Sequence, residues 1–398
     1  MIAFSFYHKL LSVHWFKTVR KIFYGVNAVK EKLGEAAKDL GGKKTLIITD
    51  SGLIKTPLVD YVRRILEESG LEVDVFSDVV PEPPLEIAEK AKDAVREGKY
   101  NLVVGLGGGS AMDVAKIAAV LADNLGNVED YLAPPIPAHI EKHGVPKILI
   151  PTTAGTGAEV SDVSVFVKGN SKVVVYSDHL MADTAIIDPI MTLTLPPKAT
   201  ASSGMDALSH AIESFMSRDS SPISEILSLG AVKLIFESLR IAYYRGEDIE
   251  ARANMSLAAL IAGIAFANTG ASAVLGHAIG LALGAKYNLP HGMSCAIILP
   301  YIVEFNAPSI PEKMRKLAEA IGLKCEKLNS KEIAEKVVSE IKNLMIDISI
   351  PTKISEIGAD ERDIPEIAEE AIKAQRLIRH NPRTVKKEDI EMILRKAF

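Results

Sequence analysis

Two rhythms of apolar and polar positions run along this chain. In its first half, short apolar runs alternate with amphipathic stretches of helical length. "KTLIITD" (44–50) reads as a buried strand, and "TPLVDYVRRILEES" carries its apolar residues at helical spacing. "LEVDVFSDV" predicts a second strand and "PLEIAEKAKDAVREG" a second helix. "YNLVVGLGGGS" predicts a third strand ending in glycines, "AMDVAKIAAVLAD" the helix it opens, and "PKILIPTTAGTG" a further strand and loop. Strands spaced by single helices imply right-handed crossovers and a parallel sheet.

The rhythm changes after "DPIMTLTLPPKAT" (188–200). Strand signals stop, and from about residue 196 helix follows helix, as in "ISEILSLGAVKLIFESLRIAYY" and "SKEIAEKVVSEIKNLM". Pro196 and Pro197 read as a hinge. The pattern predicts an α/β dinucleotide-binding domain with a parallel sheet over 1–195 and an all-α domain over 196–398, with a small-ligand cleft between them. No internal repeat or low-complexity segment interrupts it.

Length and composition agree. A chain of 398 residues has room for two cores, and 48% hydrophobic with 24% charged residues is ordinary for a soluble globular protein. A net charge of -5 and the absence of a Lys/Arg block argue against a nucleic-acid partner. The start, "MIAFSFYHKLLSVHWFKTVRK", is apolar but has no basic region ahead of its apolar part and no small-residue cleavage site. His8, Lys9 and His14 interrupt it, so it reads as an edge strand or packing arm. No stretch of ~18 apolar residues is free of charge, so no membrane span is expected. Cys295 and Cys325 form no CxxC pair, which suggests neither a disulfide framework nor a thiolate zinc site and fits a reducing cytoplasm.

Three patterns carry chemistry. The first is "VVGLGGGSAMDVAK" (103–116), where a strand delivers Gly107, Gly108 and Gly109 to a helix start. Missing side chains let a pyrophosphate approach the backbone amides, and the helix N-terminus adds favourable charge. The match to GxGxxG is near, with Ser110 in the last glycine position, and no GK[ST] follows. A tight strand-to-helix turn without ligand is the plainer reading. No convincing carboxylate follows ~20 residues on. Asp50, ending an earlier strand, could grip a ribose if that strand lies beside the glycine turn; otherwise it is a turn residue or helix cap. The second pattern, "PTTAGTGAEVS" (151–161), offers Thr152, Thr153 and Thr156 in a glycine-rich loop.

The third is a set of ionisable residues in apolar surroundings. In "SGMDALSHAIESF" (203–215), Asp206 and His210 lie four apart, on one helical face. In "GHAIGLALGAKYNLPHG" (276–292), His277 lies in an apolar helical run and His291 in a Pro-His-Gly turn. Each alone reads as a cap or a satisfied core histidine. Together they are one carboxylate and three imidazoles whose burial without a partner is costly, and a divalent metal would satisfy all four. The mixed set suits Fe(II), Zn(II) or another first-row ion rather than calcium or magnesium.

"GGGSAMDVAK", "PTTAGTGAEVS", "DPIMTLTLPPKATASSGMDALSHAIE" and "HAIGLALGAKYNLPHG", in this order, resemble the iron-containing (group III) alcohol dehydrogenase family, over roughly residues 20–398. The resemblance implies that family's architecture, shared with the dehydroquinate synthases, and NAD(H)-dependent interconversion of a small alcohol with its aldehyde or ketone. It implies a divalent metal, Fe(II) ahead of Zn(II), on Asp206, His210, His277 and His291 in a helical metal-binding and substrate domain. Cofactor contacts are implied at Gly109, Ser110, Asp113, Thr152, Thr153, Thr156 and Lys172. Asp50 matches the aspartate set against the ribose 2'-hydroxyl, which implies NAD(H) rather than NADP(H). The same resemblance implies a homo-oligomer, a dimer or larger assembly, while cysteine usage, charge and hydropathy lead to the expectation of a cytoplasmic protein without nucleic-acid or membrane partners. No catalytic residue beyond the metal centre is implied.

Two positions depart from the family pattern. Leu281 replaces a histidine that many members carry four residues after the one matching His277, and Glu82 stands where an asparagine is common. Other chemistries use the same architecture: glycerol dehydrogenases, maleylacetate reductases and hydroxyacid-oxoacid transhydrogenases. A nucleotide-binding protein with a dead site is the non-enzyme reading. Phe266 reads as core or as pocket lining.

Overall fold

A computed structural model describes residues 13–133, 138–169, 171–269 and 274–398. The start of the predicted N-terminal arm, 1–12, lies outside them. The described residues form two compact units, one within 18–153 and 157–195, the other within 196–398 together with the segments 13–17 and 154–156.

The first unit is built on a six-stranded parallel sheet in the order β1-β8-β5-β4-β2-β3. Its strands are β1 (Lys21–Tyr24), β2 (Lys44–Asp50), β3 (Glu72–Val79), β4 (Leu102–Gly107), β5 (Lys147–Pro151) and β8 (Thr184–Ile187). The crossover helices are α1 (Ala28–Asp39), α2 (Pro57–Glu68), α3 (Leu85–Glu97) and α4 (Gly109–Leu121). Strands β4 and β5 are buried along their whole length, which explains why they read as unbroken apolar runs rather than alternating ones. Strands β1, at the edge, and β8, beside it, lie beyond the predicted set.

The strand order reverses between β2 and β4. The chain passes from β2 outward to β3, then returns to the other side of β2 to lay down β4. The carboxyl ends of those two strands are the switch point at which such sheets receive ligands. Gly107, at φ 150, ends β4, and Asp50 ends β2.

A second sheet, an antiparallel hairpin of β6 (Val163–Lys168) and β7 (Ser171–Tyr176), is absent from the sequence-based expectation. Its strands are short, and β7 has only one fully buried residue, so no strong apolar signal marks it.

The hairpin is tied to α4 by a buried charged network. Lys116, fully buried, reaches Asp113 at 2.8 Å, the Ala158 carbonyl at 3.1 Å and Ser161 Oγ at 3.2 Å. The second Asp113 oxygen accepts from Val165 N–H at 3.0 Å. Burial pushes the Asp113 carboxyl up, opposed by Lys116. Glu159, also buried, is pushed up to about 7 by desolvation, with its own backbone N–H and Lys116 pulling the other way.

The second unit is helical. Its helices are α5 (Pro197–Met216), α6 (Pro222–Tyr244), α7 (Ile249–Ala267), α8 (Leu275–Tyr287), α9 (His291–Asn306), α10 (Pro311–Ala320), α11 (Ser330–Asp347), α12 (Ile364–Lys373), α13 (Gln375–Ile378) and α14 (Lys387–Lys396). Pro196 and Pro197, expected as a hinge, are the N-cap and first residue of α5, positions where a missing N–H costs nothing. Helix α5 is buried nearly all round, against α6, α7 and α9. Helix α7 alone among the described residues is long and apolar enough to cross a membrane, and 56% of its most apolar window is buried in the unit, as in a core helix.

Glu159 generates a stability prediction. Its acid is neutral in the fold up to about pH 7 but ionises near 4.5 when exposed. The folded state therefore holds the extra proton, and stability present below pH ~4.5 is lost as pH rises towards 7, by up to ~3 kcal/mol. In urea unfolding between pH 4.5 and 8, Glu159→Gln is expected to gain stability steadily over the parent chain. A difference independent of pH would mean that Glu159 is charged in the fold.

Candidate functional site

The helical unit gathers its ionisable residues on three helices. On α5, Asp206, His210 and Glu213 follow at spacings of four and three, so all three project from one face. Asp206 is mid-helix, which removes its reading as a cap. His277 lies in the first turn of α8. His291 does not sit in a turn: Pro290 is the N-cap and His291 the first residue of α9. Pro at the preceding position ends the extended approach, and the helix begins on the imidazole.

Glycines set the helix spacing. A Cβ on Gly292 would lie 2.2 Å from the Ser202 carbonyl oxygen and 3.0 Å from Asp206 Cβ, so only glycine lets α9 start against α5. The approach brings His291 Nε2 within 3.9 Å of Asp206 Oδ1. A Cβ on Gly276 would lie 2.6 Å from Glu213 Oε1.

That space is used by a hydrogen bond the sequence reading missed. Glu213, 1% exposed, meets His277 Nδ1 through Oε1 at 2.7 Å, and its Oε2 accepts from the His277 backbone N–H at 3.3 Å. An ionised carboxylate only accepts, so Nδ1 carries the proton and Nε2 keeps its lone pair. A carboxylate behind an imidazole is the usual device for aiming a metal-binding nitrogen. The sequence signal was a third ionisable residue on the same face of an apolar helix.

The donor atoms of Asp206, His277, His291 and Cys295 all lie within 4.8 Å of one another. Cys295, buried one turn along α9 from His291, was another residue not foreseen; its spacing of four was the signal. His210 is not in that set. Its ring stacks on His277, centroids 4.9 Å apart, and its buried Nδ1 has no hydrogen-bond partner. Burial, the largest influence, holds the His210 pKa below the ordinary histidine value, opposed by Asp206 and by a backbone hydrogen bond to Gly155. A buried, neutral imidazole with an unmatched nitrogen, beside a carboxylate and two further imidazoles, fits a first-row divalent metal. Phe266, half-buried, packs its ring against His210 at 4.7 Å and His277 at 6.0 Å, so it belongs to this site as well as to the core. Leu281 is half-buried one turn after His277 and packs on the core.

The α/β unit holds the other predicted residues. Strand pairing sets Asp50 beside the glycine turn: a Cβ on Gly107 would lie 3.3 Å from Asp50 Oδ2. The other oxygen, Oδ1, accepts from Gly52 and Leu53 N–H at 2.9 and 2.8 Å. Asp50 is therefore a turn residue with one oxygen and faces the glycines with the other. Gly108 is the N-cap of α4 and brings no capping side chain; Gly109 and Ser110 form its first turn. Thr152 N–H donates to the Gly107 carbonyl at 2.9 Å, and Thr153 packs 3.5 Å from the Cβ position of Gly108. Thr156 is grouped with the helical unit instead. Asp113 engages both carboxylate oxygens within the Lys116 network, one on Lys116 and the other on Val165 N–H. Lys172, on β7, pairs with Glu82 at 2.6 Å, and Glu82 N–H donates to Ser110 Oγ at 3.3 Å.

Comparison with known proteins identifies the family. Long-chain-alcohol dehydrogenase 1 of Geobacillus thermodenitrificans is 42% identical over 368 residues, 92% of this chain and 93% of that protein. A crystal structure of 1,3-propanediol oxidoreductase superposes with a TM-score of 0.92 at 33% identity, covering 97% of this chain and all of that one. Sulfoacetaldehyde reductase from Bifidobacterium kashiwanohense, solved in complex with NAD+, superposes at 0.87 with 27% identity, covering 97% of this chain and 99% of that one. Residues 19–189 match the family model "Iron-containing alcohol dehydrogenase" and residues 200–398 match "Fe-containing alcohol dehydrogenase family, C-terminal". With both of its halves matched in order, the chain belongs to the iron-containing alcohol dehydrogenase family.

Proposed function

We propose that this chain is a metal-dependent NAD(H) oxidoreductase that interconverts a small alcohol and its aldehyde or ketone. The observation that carries the reading is the donor cluster of the helical unit, with its Glu213-backed imidazole, in a chain of this family. Residues 1–195 would bind the dinucleotide and 196–398 the metal and substrate, with Asp206, His210, His277 and His291 as metal ligands.

A divalent metal held there, Fe(II) ahead of Zn(II), supplies Lewis-acid polarisation of the substrate oxygen, and NAD(H) supplies the hydride acceptor or donor. The chain's own part is preparation. Asp206 contributes anionic charge, and Glu213 fixes the tautomer and direction of His277. Burial holds His210 neutral, the form a ligand needs. Phe266 lays an apolar face along two of the imidazoles, which keeps water off them. Leu281 offers no proton relay, so protons would exchange with solvent. At the glycine turn, the open N-terminus of α4 favours a pyrophosphate. The Asp50 carboxylate would repel a 2'-phosphate, which favours NAD(H) over NADP(H).

A cytoplasmic dimer without nucleic-acid or membrane partners completes the proposal. Cys295 and Cys325, both buried and neither in a disulfide, support a reducing compartment, and the net charge of -5 supports the absence of a nucleic-acid partner.

Three measurements test this reading. NADH oxidation with a short aliphatic aldehyde is expected to vanish in chelated protein and return with anaerobic Fe(II) or Zn(II). Tight NADH binding without activity under either metal would sink it. Glu213→Gln is expected to weaken metal affinity roughly ten- to a hundredfold in chelator competition, with NADH binding unchanged; unaltered metal affinity would reduce Glu213 to a packing role. Asp50→Asn keeps the turn's acceptor and removes the charge, so the ratio of kcat/KM for NADPH to that for NADH is expected to rise about tenfold. A constant ratio would mean that Asp50 does not select the cofactor.

A further inference from the structure

Glu82 is set in an unusual way. Its backbone has φ 52, the left-handed region that asparagine tolerates and glutamate rarely adopts. A glutamate held in this conformation is the feature to explain. The loop around it is pinned on both sides: Val167 N–H donates to the Pro83 carbonyl at 2.9 Å, and Glu82 N–H donates to Ser110 Oγ at 3.3 Å. From there the carboxylate reaches Lys172 Nζ at 2.6 Å. The lysine side chain is 21% exposed and the glutamate 47%, so the cation is the more enclosed partner and the anion the one facing water. The pair flanks the first turn of α4, where the Gly108 N-cap brings no side-chain acceptor.

We propose that Glu82 is an internal competitor for Lys172. Its carboxylate occupies the cation that would otherwise face a dinucleotide phosphate, and the cofactor must take the lysine from it. Glu82 is thus a positioning residue that acts through Lys172. It lowers the fraction of molecules with a free cation and so raises the apparent Kd for NAD(H). The proposal rests on the glycine turn being the pyrophosphate seat.

The test is NADH titration of the full-length protein by nicotinamide fluorescence, with ADP-ribose as a second probe that needs no metal. Glu82→Gln and Glu82→Asn are both expected to bind NADH about fivefold more tightly, as removal of a partly exposed ion pair allows. KM for NADH falls with Kd while kcat does not rise. In a Lys172→Met background the same substitutions are expected to change nothing, because the competition has no object left. Unchanged or weaker binding in both single variants overturns the proposal, and so does a gain that survives Lys172→Met. A parent protein that binds neither NADH nor ADP-ribose would remove the dinucleotide reading itself, an outcome distinct from the other two.

Discussion

The close approach of α9 to α5 is the constraint on which the helical site depends. The Ser202 carbonyl leaves no room for a side chain at residue 292, and without that contact His291 would stand away from Asp206. The same economy operates at Gly276, where the missing side chain is the volume filled by Glu213. Close-packed interiors deform little, so a methyl group at either position would be felt in the spacing of the imidazoles. The donor cluster is therefore a product of backbone distance as much as of donor chemistry.

Its polarity is equally conditional. Burying a carboxylate and two imidazoles in an apolar helical core, with a third imidazole half-buried beside them, is unfavourable unless they find partners. Glu213 partners His277 from within the protein, and His210 retains a nitrogen that no protein group meets. The chain spends a second buried carboxylate on aiming a single imidazole. That expense has an explanation in metal binding, where ligand direction controls affinity, and little in fold stability alone.

In the α/β unit the controlling fact is the reversal of strand order between β2 and β4. It brings Asp50 to Gly107 although 57 positions separate them in sequence. It also explains why no acid was found downstream of the glycines, where a strand order with the glycine turn first would have put it. The hairpin β6–β7 then supplies Lys172 from a segment that carries no strong strand signal, and the loop at 82 meets it.

Much of the molecule was legible in the chain itself. Apolar runs at strand length and apolar stripes at helical spacing depend on neighbours in sequence, so β2 to β5 and the long helices were readable. Asp206 and His210 could be placed on one face because helical geometry is local. What lay out of reach was set by contacts between distant segments. The edge strand β1, the hairpin, the helical start at His291, the bond from Glu213 to His277 and the entry of Cys295 into the donor cluster each depend on which backbones approach and how closely. Asp50 shows the division most clearly: its residue type was plain from the sequence, but only strand pairing decided that one oxygen holds a turn while the other faces the glycines.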